Sequence, residues 1–183
     1  MEPALTVPAE LITPRLRLRR PLASDAAAIF AYASDPEVVR YMDWPRAITP
    51  ADSIQANERA LAAWDAGTEY TWRLTVPPDD TPIGAIACRI RERSADFGYV
   101  LNRRHWGRGY ATEAAVALVE WLKSLAAIEH IVATCDVDNQ ASARVLAKAG
   151  LAEEARLPEH HVRPNMPGTP KRDAFRYAWH RAV

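Results

Sequence analysis

RRHWGRGYATEA, residues 103–114, places two glycines two positions apart among three arginines, directly before an alanine-rich segment. A strand-like run ends near Asn102, and helical periodicity begins near Tyr110. Gly107 and Gly109 therefore occupy a strand-to-helix turn, in which successive backbone N–H groups converge at a helix N-terminus. A turn of this kind is suited to binding an anion such as phosphate.

The common phosphate-binding loops do not match this stretch. The Walker loop requires a glycine, four intervening residues and then Gly-Lys-Ser/Thr, and the chain has no such run. The dinucleotide fingerprint requires a third glycine where Thr112 stands. Arg104 and Arg108 add positive charge that an anion would use. The glycines by themselves are equally consistent with a plain turn, so the loop alone leaves both interpretations open.

The segments around the loop predict a mixed sheet. Residues 70–76, 82–91 and 95–102 are strand-like and are joined by short polar turns, which is typical of an antiparallel meander. A helix from Tyr110 presents alanine and leucine on one face, and the next strand is predicted at 130–137. A strand, a helix and a second strand in this order indicate a parallel crossover.

The N-terminal third is predicted to be one strand followed by helices. Leu and Arg alternate over 15–20, as in a half-buried strand. Ser24 is the predicted N-cap of a helix over 25–33, and a second short helix is predicted over 35–42. A longer helix is predicted over 50–67, with proline first and glycine last.

The C-terminal part is predicted to contain one more helix and one more strand. Residues 139–150 form a short helix that ends in glycine. Residues 157–170 contain four prolines and are predicted to form a loop. Residues 173–182 are the predicted final strand.

Composition limits the function. The chain has 183 residues, 49% of them hydrophobic, which suits a single domain over 1–183. Lys plus Arg and Asp plus Glu number 23 each, so no net charge attracts nucleic acid or an anionic membrane. The first residues lack a secretory pattern, and no apolar run reaches membrane-spanning length. Cys88 and Cys135 form no metal-ligand pattern, so we expect no metal and a cytoplasmic location.

The wider pattern resembles one enzyme superfamily. The sequence Arg-x-x-Gly-x-Gly over 104–109, preceded by GYVLN over 98–102 and followed by YATEA over 110–114, is similar to the acetyl-CoA-binding motif of the GNAT N-acetyltransferases. Together with DVDNQASARVLAKAGL over 136–151, it resembles the RimJ/RimL branch, the ribosomal-protein N-acetyltransferases. The resemblance covers nearly the whole chain. It implies a GNAT fold of the α/β (α+β mixed) class: a twisted, mostly antiparallel sheet, splayed at a central parallel strand pair, with helices on both faces.

The resemblance also implies roles for particular residues. The strand around Val100 would pair through main-chain groups with the pantetheine arm of acetyl-CoA, as an added strand does. The N–H groups of the glycine loop would hold the pyrophosphate. The expected acetyl-CoA-binding residues are Tyr99, Val100, Leu101, Arg104, His105, Trp106, Gly107, Arg108, Gly109, Tyr110, Ala111, Thr112, Asn139 and Ser142.

Asn139 and Ser142 are the expected catalytic residues. Asn139 stands at a helix N-cap position, where it either caps the helix or contacts the pantetheine arm. Ser142 shares a helical face with Val145 and Leu146, so its hydroxyl is predicted to point inward, toward the sheet and the thioester. A buried hydroxyl needs a partner, and a CoA sulfur or a backbone carbonyl would supply it.

The implied reaction is attack of a neutral amine on the acetyl thioester. An α-amine has a pKa of about 7.7 to 8.0, against about 10.4 for lysine, so an α-amine requires little help from a base. The candidate bases are Glu69, Asp96, Glu159 and His161, and a reaction without a protein base is a further alternative. A metal site at the two adjacent histidines is not expected, because neighbouring side chains diverge.

The acceptor is less well defined than the donor. We expect the N-terminal α-amine of a protein; the alternatives are a small-molecule amine (an antibiotic, a polyamine or an amino acid) and a CoA-binding sensor without turnover. Trp44, in a proline-flanked loop, is a candidate acceptor contact. The acceptor side is further expected to be lined by residues of the proline-rich loop and the start of the last strand, Arg163, Asn165, Lys171 and Arg172. A monomer and a homodimer are both consistent with the sequence.

Overall fold

The computed structural model describes residues 6–166, 168 and 171–182. Its eight strands form one sheet in the order β1-β2-β3-β4-β5-β6-β8-β7. The strands are β1 (Glu10–Ile12), β2 (Arg17–Arg19), β3 (Tyr70–Val76), β4 (Asp79–Arg91), β5 (Ser94–Leu101), β6 (His130–Asp136), β7 (Ala152–Val162) and β8 (Lys171–His180). The α-helices are α1 (Ala26–Ala33), α2 (Pro36–Val39), α3 (Pro50–Asp65), α4 (Tyr110–Ser124) and α5 (Gln140–Lys148).

One strand, β1, was not predicted; the strand and helices after it follow the predicted order, but the predicted cap of α1 is wrong. Ser24 lies inside a short 3-10 helix, and α1 begins only after it. Asp25 organises this turn, because its carboxylate accepts a hydrogen bond from the Leu22 N–H at 2.8 Å and pairs with the Arg19 guanidinium at 2.7 Å. A buried carboxylate that holds both a backbone donor and a guanidinium fixes the chain entry more firmly than a serine hydroxyl can.

The sheet opens at its parallel strand pair, as the fold class predicted. β5 and β6 pair only from Ser94 to Asp96, against His130 to Val132. Every other neighbouring pair in the sheet is antiparallel. Within the described chain no β5–β6 register continues past Asp96, although β5 runs on to Leu101. The two strands therefore separate toward their carboxyl ends and leave a gap.

The hydrogen-bond register determines which main-chain groups face this gap. The Asn102 N–H donates to the Ile83 carbonyl at 2.8 Å, so these opposite residues are a hydrogen-bonded pair. In an antiparallel ladder such pairs alternate along the strand, so Val100 bonds to β4, whereas Tyr99 and Leu101 direct N–H and C=O groups away from it. The Leu101 carbonyl accordingly accepts from the Trp106 indole N–H at 2.8 Å, outside the β4 ladder. Tyr99 and Leu101 thus present main-chain groups to the gap.

Helices cover both faces of the sheet. On one face, Arg73 of β3 donates to Asn57 of α3 at 2.8 Å, and Val100 packs on the cluster of α1 and α2. On the other, fully buried Trp72 contacts Trp121 of α4 at a ring-centroid separation of 5.6 Å. Trp64 and Trp179 are partly buried against the same core. None of the described helices is long and apolar enough to cross a membrane.

The C-terminal segment differs most from the prediction. Residues 157–162, predicted as loop, form the second half of β7. This strand lies at the sheet edge, where Pro158 is tolerated because an edge residue has no ladder bond to donate on its outer side. A bulge separates Leu157 from His161, and Glu159 within it has a φ of +48°. The final strand is confirmed, starting two residues early, and residues 167, 169 and 170 of the predicted loop lie outside the described residues.

Candidate active site

Two cavities adjoin along β5. The first, here called the loop cavity, has a volume of 490 Å³ and extends from Tyr99 past the glycine loop to Thr112. The second, the strand cavity, has a volume of 580 Å³ and extends back along β5 to Asp96. Six residues line both cavities: Tyr41, Met42, Tyr99, Val100, Asn139 and Ser142. The cavities therefore meet where β5 and β6 separate.

The glycine loop presents bare backbone to the loop cavity. Gly107 and Gly109 have φ values of 74° and 81°, in the left-handed region that side-chain-bearing residues avoid. Gly109 is the N-cap of α4, and no side chain in the described part of the chain caps this helix. Its first N–H groups, around Tyr110, are then free for an anion.

A clasp from the N-terminal strands holds this loop in place. The Arg15 guanidinium donates to the Glu113 carboxylate at 2.6 Å and to the Arg108 carbonyl at 2.8 Å, and it lies 4.9 Å from the Tyr110 ring centre. Thr13 donates its hydroxyl to the same carboxylate at 2.6 Å. Burial raises the pKa of Glu113, but the hydrogen bonds from Thr13 and Arg15 outweigh burial and lower it. Sequence reasoning missed this clasp, because nearly 100 residues separate its two sides.

The loop cavity is surrounded by positive charge. Arg103 is paired with Asp35 at 3.0 Å, whereas Arg104 and Arg108 have no carboxylate partner among the described residues. The cations that line the cavity are Arg40, Arg144 and Lys148, against one carboxylate, Glu37. The last two of these cations lie one turn apart on α5 and were not singled out from the sequence. Burial, with the two nearby arginines, lowers the pKa of His105 and so favours its neutral form.

Tyr99, Ser142 and Asn139 form a hydrogen-bonded group at the junction of the cavities. The Ser142 hydroxyl lies 2.7 Å from the Tyr99 hydroxyl, so it points inward as predicted, with the phenol as its partner. Asn139 accepts from the Ser142 N–H at 3.1 Å, which confirms the N-cap alternative. Burial raises the pKa of Tyr99 and also raises the pKa of Cys135, to about 11, so the phenol and the thiol are both neutral near pH 7.

Charged side chains on one face of the sheet border the strand cavity. Arg89 of β4 bonds Asp96 of β5 at 2.9 Å and lies 3.9 Å from Glu69, which precedes β3. Arg91, also on β4, is exposed and has no ion-pair partner among the described residues. The lining carboxylates are Asp43, Glu69, Asp96 and Asp136, against two arginines, Arg89 and Arg91. Asp136 is paired with a buried arginine, Arg163, and the other three carboxylates outnumber the two arginines by one, the reverse of the loop cavity.

The residues expected to line the acceptor side from the proline-rich loop do not do so. Arg163 is buried, its side chain 2% exposed, in an ion pair with Asp136. Asn165 donates to the carbonyls of Val39 and Trp44 at 2.8 and 2.9 Å and so ties this loop to the segment after α2. Both side chains are engaged by other residues of the fold, so they support the structure around the cavity and do not line it.

The remaining two residues of that expectation lie on the last strand. Arg172 pairs with Asp138 at 3.0 Å, and Lys171 is exposed at the start of β8. Neither belongs to the described lining of the strand cavity. The expected basic acceptor surface is therefore wrong, because its arginines are paired with aspartates of β6 and the turn after it.

Three of the four candidate bases line the strand cavity. Glu69 and Asp96 are held by Arg89, whereas His161 has a buried Nδ1 with no hydrogen-bond partner in the described residues. Glu159 is exposed, and its N–H donates to Asp173 at 3.1 Å, outside the cavity lining. Trp44 lines the cavity, as expected of an acceptor contact. Among the described side chains no three His, Cys, Asp or Glu residues are grouped to hold a metal ion.

Known proteins match both the sequence and the fold. Residues 15–152 match the family model of the acetyltransferase (GNAT) domain. The uncharacterized N-acetyltransferase p20 of Bacillus licheniformis is 31% identical over 82% of this chain and 86% of its own length. RimL, a ribosomal L7/L12 alpha-N-protein acetyltransferase solved in complex with coenzyme A, has a TM-score of 0.81 at 19% identity, over 93% of this chain and 97% of its own. The microcin C7 self immunity acetyltransferase MccE, solved with acetyl-CoA and AMP, has a TM-score of 0.81 at 18% identity, over 92% and 94%.

Proposed function

The chain belongs to the GNAT family of acetyltransferases, and we propose that it transfers the acetyl group of acetyl-CoA to the N-terminal α-amine of a protein. The observation that carries this proposal is the meeting of two cavities of opposite charge at Tyr99 and Ser142. One cavity suits a polyanionic donor and the other a cationic amine. Residues 1–183 act in this proposal as a single catalytic domain.

The loop cavity is the proposed acetyl-CoA site. The N–H groups from His105 to Thr112 hold the pyrophosphate, with Arg104 and Arg108 balancing its charge. The pantetheine arm pairs with the gap-facing groups of Tyr99 and with the Leu101 N–H. Because the β4 ladder uses the main chain of Val100, Val100 contributes its side chain to this site instead. RimL and MccE, which share the fold, were solved with coenzyme A and acetyl-CoA.

The junction of the cavities is the proposed reaction centre. The amine nitrogen attacks the thioester carbonyl carbon. The oxyanion that develops on the carbonyl oxygen accepts a hydrogen bond from a gap-facing N–H of β5. The carbon–sulfur bond then breaks, and the Ser142 hydroxyl, supported by Tyr99, donates a hydrogen bond to the departing sulfur. A thiol with a pKa of about 8.5 leaves readily as a thiolate, so this bond and correct positioning suffice.

His161 is the proposed proton acceptor. His161 lines the strand cavity and, unlike Glu69 and Asp96, is not held by an arginine among the described residues. Glu69 and Asp96, fixed by Arg89, instead attract the ammonium form of the acceptor to the same cavity.

A small polycationic amine is the second candidate acceptor. The carboxylates bordering the strand cavity favour it, whereas a basic acceptor surface would have repelled it. The α-amine is preferred because it needs the weakest base, and because RimL, which shares the fold, is an alpha-N-protein acetyltransferase.

Thiol release from acetyl-CoA tests these alternatives. The purified protein is assayed with peptides bearing a free N-terminus, the same peptides with an acetylated N-terminus, spermidine and an aminoglycoside. We expect thiol release with the free peptides and none with their acetylated controls. Turnover restricted to spermidine or the aminoglycoside would exclude the protein substrate. Acetyl-CoA binding without any turnover would indicate a CoA-binding module.

A further inference from the structure

Two glycines of the central strands differ in what the fold requires of them. A Cβ on Gly84 of β4 would lie 2.3 Å from the Val100 carbonyl oxygen, so the close approach of β4 and β5 excludes a side chain there. A Cβ on Gly98 of β5 would meet no described atom within 4 Å. Gly98 does not have a positive φ and pairs in regular register with Ala87. Neither packing nor backbone geometry within the described chain therefore requires a glycine at position 98.

A glycine inside a strand weakens it, so its presence without a structural reason points to the close approach of another molecule. Side chains alternate along a strand, so position 98 faces the same side as Asp96 and Val100, which line the strand cavity. Tyr99 faces the opposite side and reaches Ser142. A side chain at position 98 would thus enter the strand cavity beside the junction, one residue, about 3.8 Å, from the Tyr99 Cα.

The residues around Gly98 on this face also have small side chains. Ala87 lies directly opposite on β4, and Ala85 follows two residues away on the same face. On one side of this strip stand Arg89 and Asp96, and on the other stands Val100. These small residues therefore leave open space along the sheet surface, from the charged border of the cavity to the proposed reaction centre.

We infer that Gly98 is a specificity-determining residue, whose missing side chain admits the substituted α-carbon of the acceptor. This inference rests on the proposed transfer to a protein N-terminus. The carbon beside an α-amine carries both a side chain and a carbonyl group, whereas the carbon beside a terminal amine of a linear chain carries one substituent. The first kind of amine needs more width near Tyr99, and Gly98 with Ala87 supplies it.

Steady-state kinetics of Gly98→Ala and Gly98→Val test the inference, with two peptides that differ only in an N-terminal Ser or Gly. For Gly98→Val we expect kcat/KM to fall about tenfold or more with the Ser peptide and less than about threefold with the Gly peptide. Gly98→Ala is expected to change the same ratio in the same direction, by less. The acetyl-CoA Kd is expected to stay within about twofold of the wild-type value, because the loop cavity is not lined by Gly98.

Two control variants separate specificity from folding. Ala152→Val adds the same side chain at an exposed strand position outside both cavities and is expected to leave both peptides unaffected. Gly84→Ala is expected to lower the Tm, whereas Gly98→Val is expected to keep it, since valine favours strands. Equal losses with both peptides, no loss with either, or an unfolded Gly98→Val would overturn the inference. A wild-type protein that acetylates neither peptide would overturn both the inference and the proposed function.

Discussion

The loop cavity and the strand cavity are built in different ways. One wall of the loop cavity is a continuous stretch of chain from Tyr99 to Thr112, and the rest is lined by α2, the segment after it and α5. The strand cavity combines side chains from the segment after α2, from β4 to β6, from α5 and from β7. The glycine stretch of the first cavity is a local structure that a motif can encode. The second exists only when strand register and ion pairs bring distant residues together.

The two cavities also differ in charge. Three cations face one carboxylate in the loop cavity. In the strand cavity three carboxylates face two arginines, since the fourth carboxylate, Asp136, is paired with buried Arg163. Each excess is complementary to one proposed reactant, the phosphates of acetyl-CoA or the protonated amine. Since the cavities share residues at Tyr99 and Ser142, opposite fields converge on the reaction centre. Changes that affect one cavity alone are therefore the sharpest tests of this division.

The largest expected effect comes from the ion pair behind the strand cavity. Arg163→Ala leaves the fully buried carboxylate of Asp136 without its partner, which is expected to cost about 3–5 kcal/mol of unfolding free energy. Urea denaturation measures this loss. The acetyl-CoA Kd of the folded fraction is expected to remain unchanged, because neither Arg163 nor Asp136 lines the loop cavity.

A double variant is the control for this prediction. Asp136→Leu with Arg163→Met replaces the pair by apolar groups and is expected to recover most of the stability. A single variant that loses less than about 1 kcal/mol would show that water, or the Asp138 backbone N–H that donates to Asp136 at 2.9 Å, compensates for the missing guanidinium. The long-range ion pair of Arg163 and Asp136 would then contribute little to holding the strand cavity together.

A smaller effect is expected at the glycine loop. Gly109→Ala places a Cβ on a residue with a φ of 81° at the N-terminus of α4. The left-handed conformation costs about 1–2 kcal/mol for such a residue, so acetyl-CoA affinity is expected to fall about tenfold. Isothermal titration calorimetry measures the affinity, and circular dichroism checks the fold.

Gly67→Ala is the matched control for the loop variant. Gly67 has a similar φ of 68° but lies after α3, away from both cavities. It is expected to lose comparable stability and to keep its acetyl-CoA affinity. Equal loss of affinity in both variants would mean that the glycines act through folding, which is the plain-turn interpretation of the motif.

The smallest expected effect is a pH dependence of the clasp. The pKa of Glu113 lies below its ordinary value of 4.5 in the folded protein, so its ionised form adds stability that is complete above that value. The contribution is lost as the pH falls through the folded pKa. The unfolding free energy of the wild type, measured with urea, is therefore expected to fall more steeply below pH 4.5 than that of Glu113→Gln. Parallel curves for the two proteins would show that the clasp does not depend on the charge of Glu113.

The same contrast explains how far the sequence predicted the structure. The glycine loop, the meander, the helix from Tyr110 and the N-cap at Asn139 depend on neighbouring residues, and the structure confirms all four. The strand at 157–162 was missed because Pro158 and two histidines give no strand alternation. It forms because β8 supplies a ladder at the sheet edge.

The candidate site follows the same rule. The roles of the charged residues depend on partners that are distant in sequence, and a local sequence pattern does not identify such partners. Arg163 was expected at the acceptor surface, yet Asp136 draws it into the interior. The contact of Arg15 with Glu113 spans nearly 100 residues, and only the sheet brings its two sides together. Glu69 and Asp96 were candidates from the sequence, but their common partner Arg89 appears only in the strand register.

The arrangement of the two cavities along β5 also determines the kinetic order of the reaction. They touch at Tyr99 and Val100 and extend from there in opposite directions, so filling one leaves the other open. In the proposed reaction both substrates are then present together, and the acetyl group passes between them without first being stored on a side chain. Double-reciprocal plots at several fixed acceptor concentrations should therefore intersect rather than run parallel, the pattern of a sequential ternary complex.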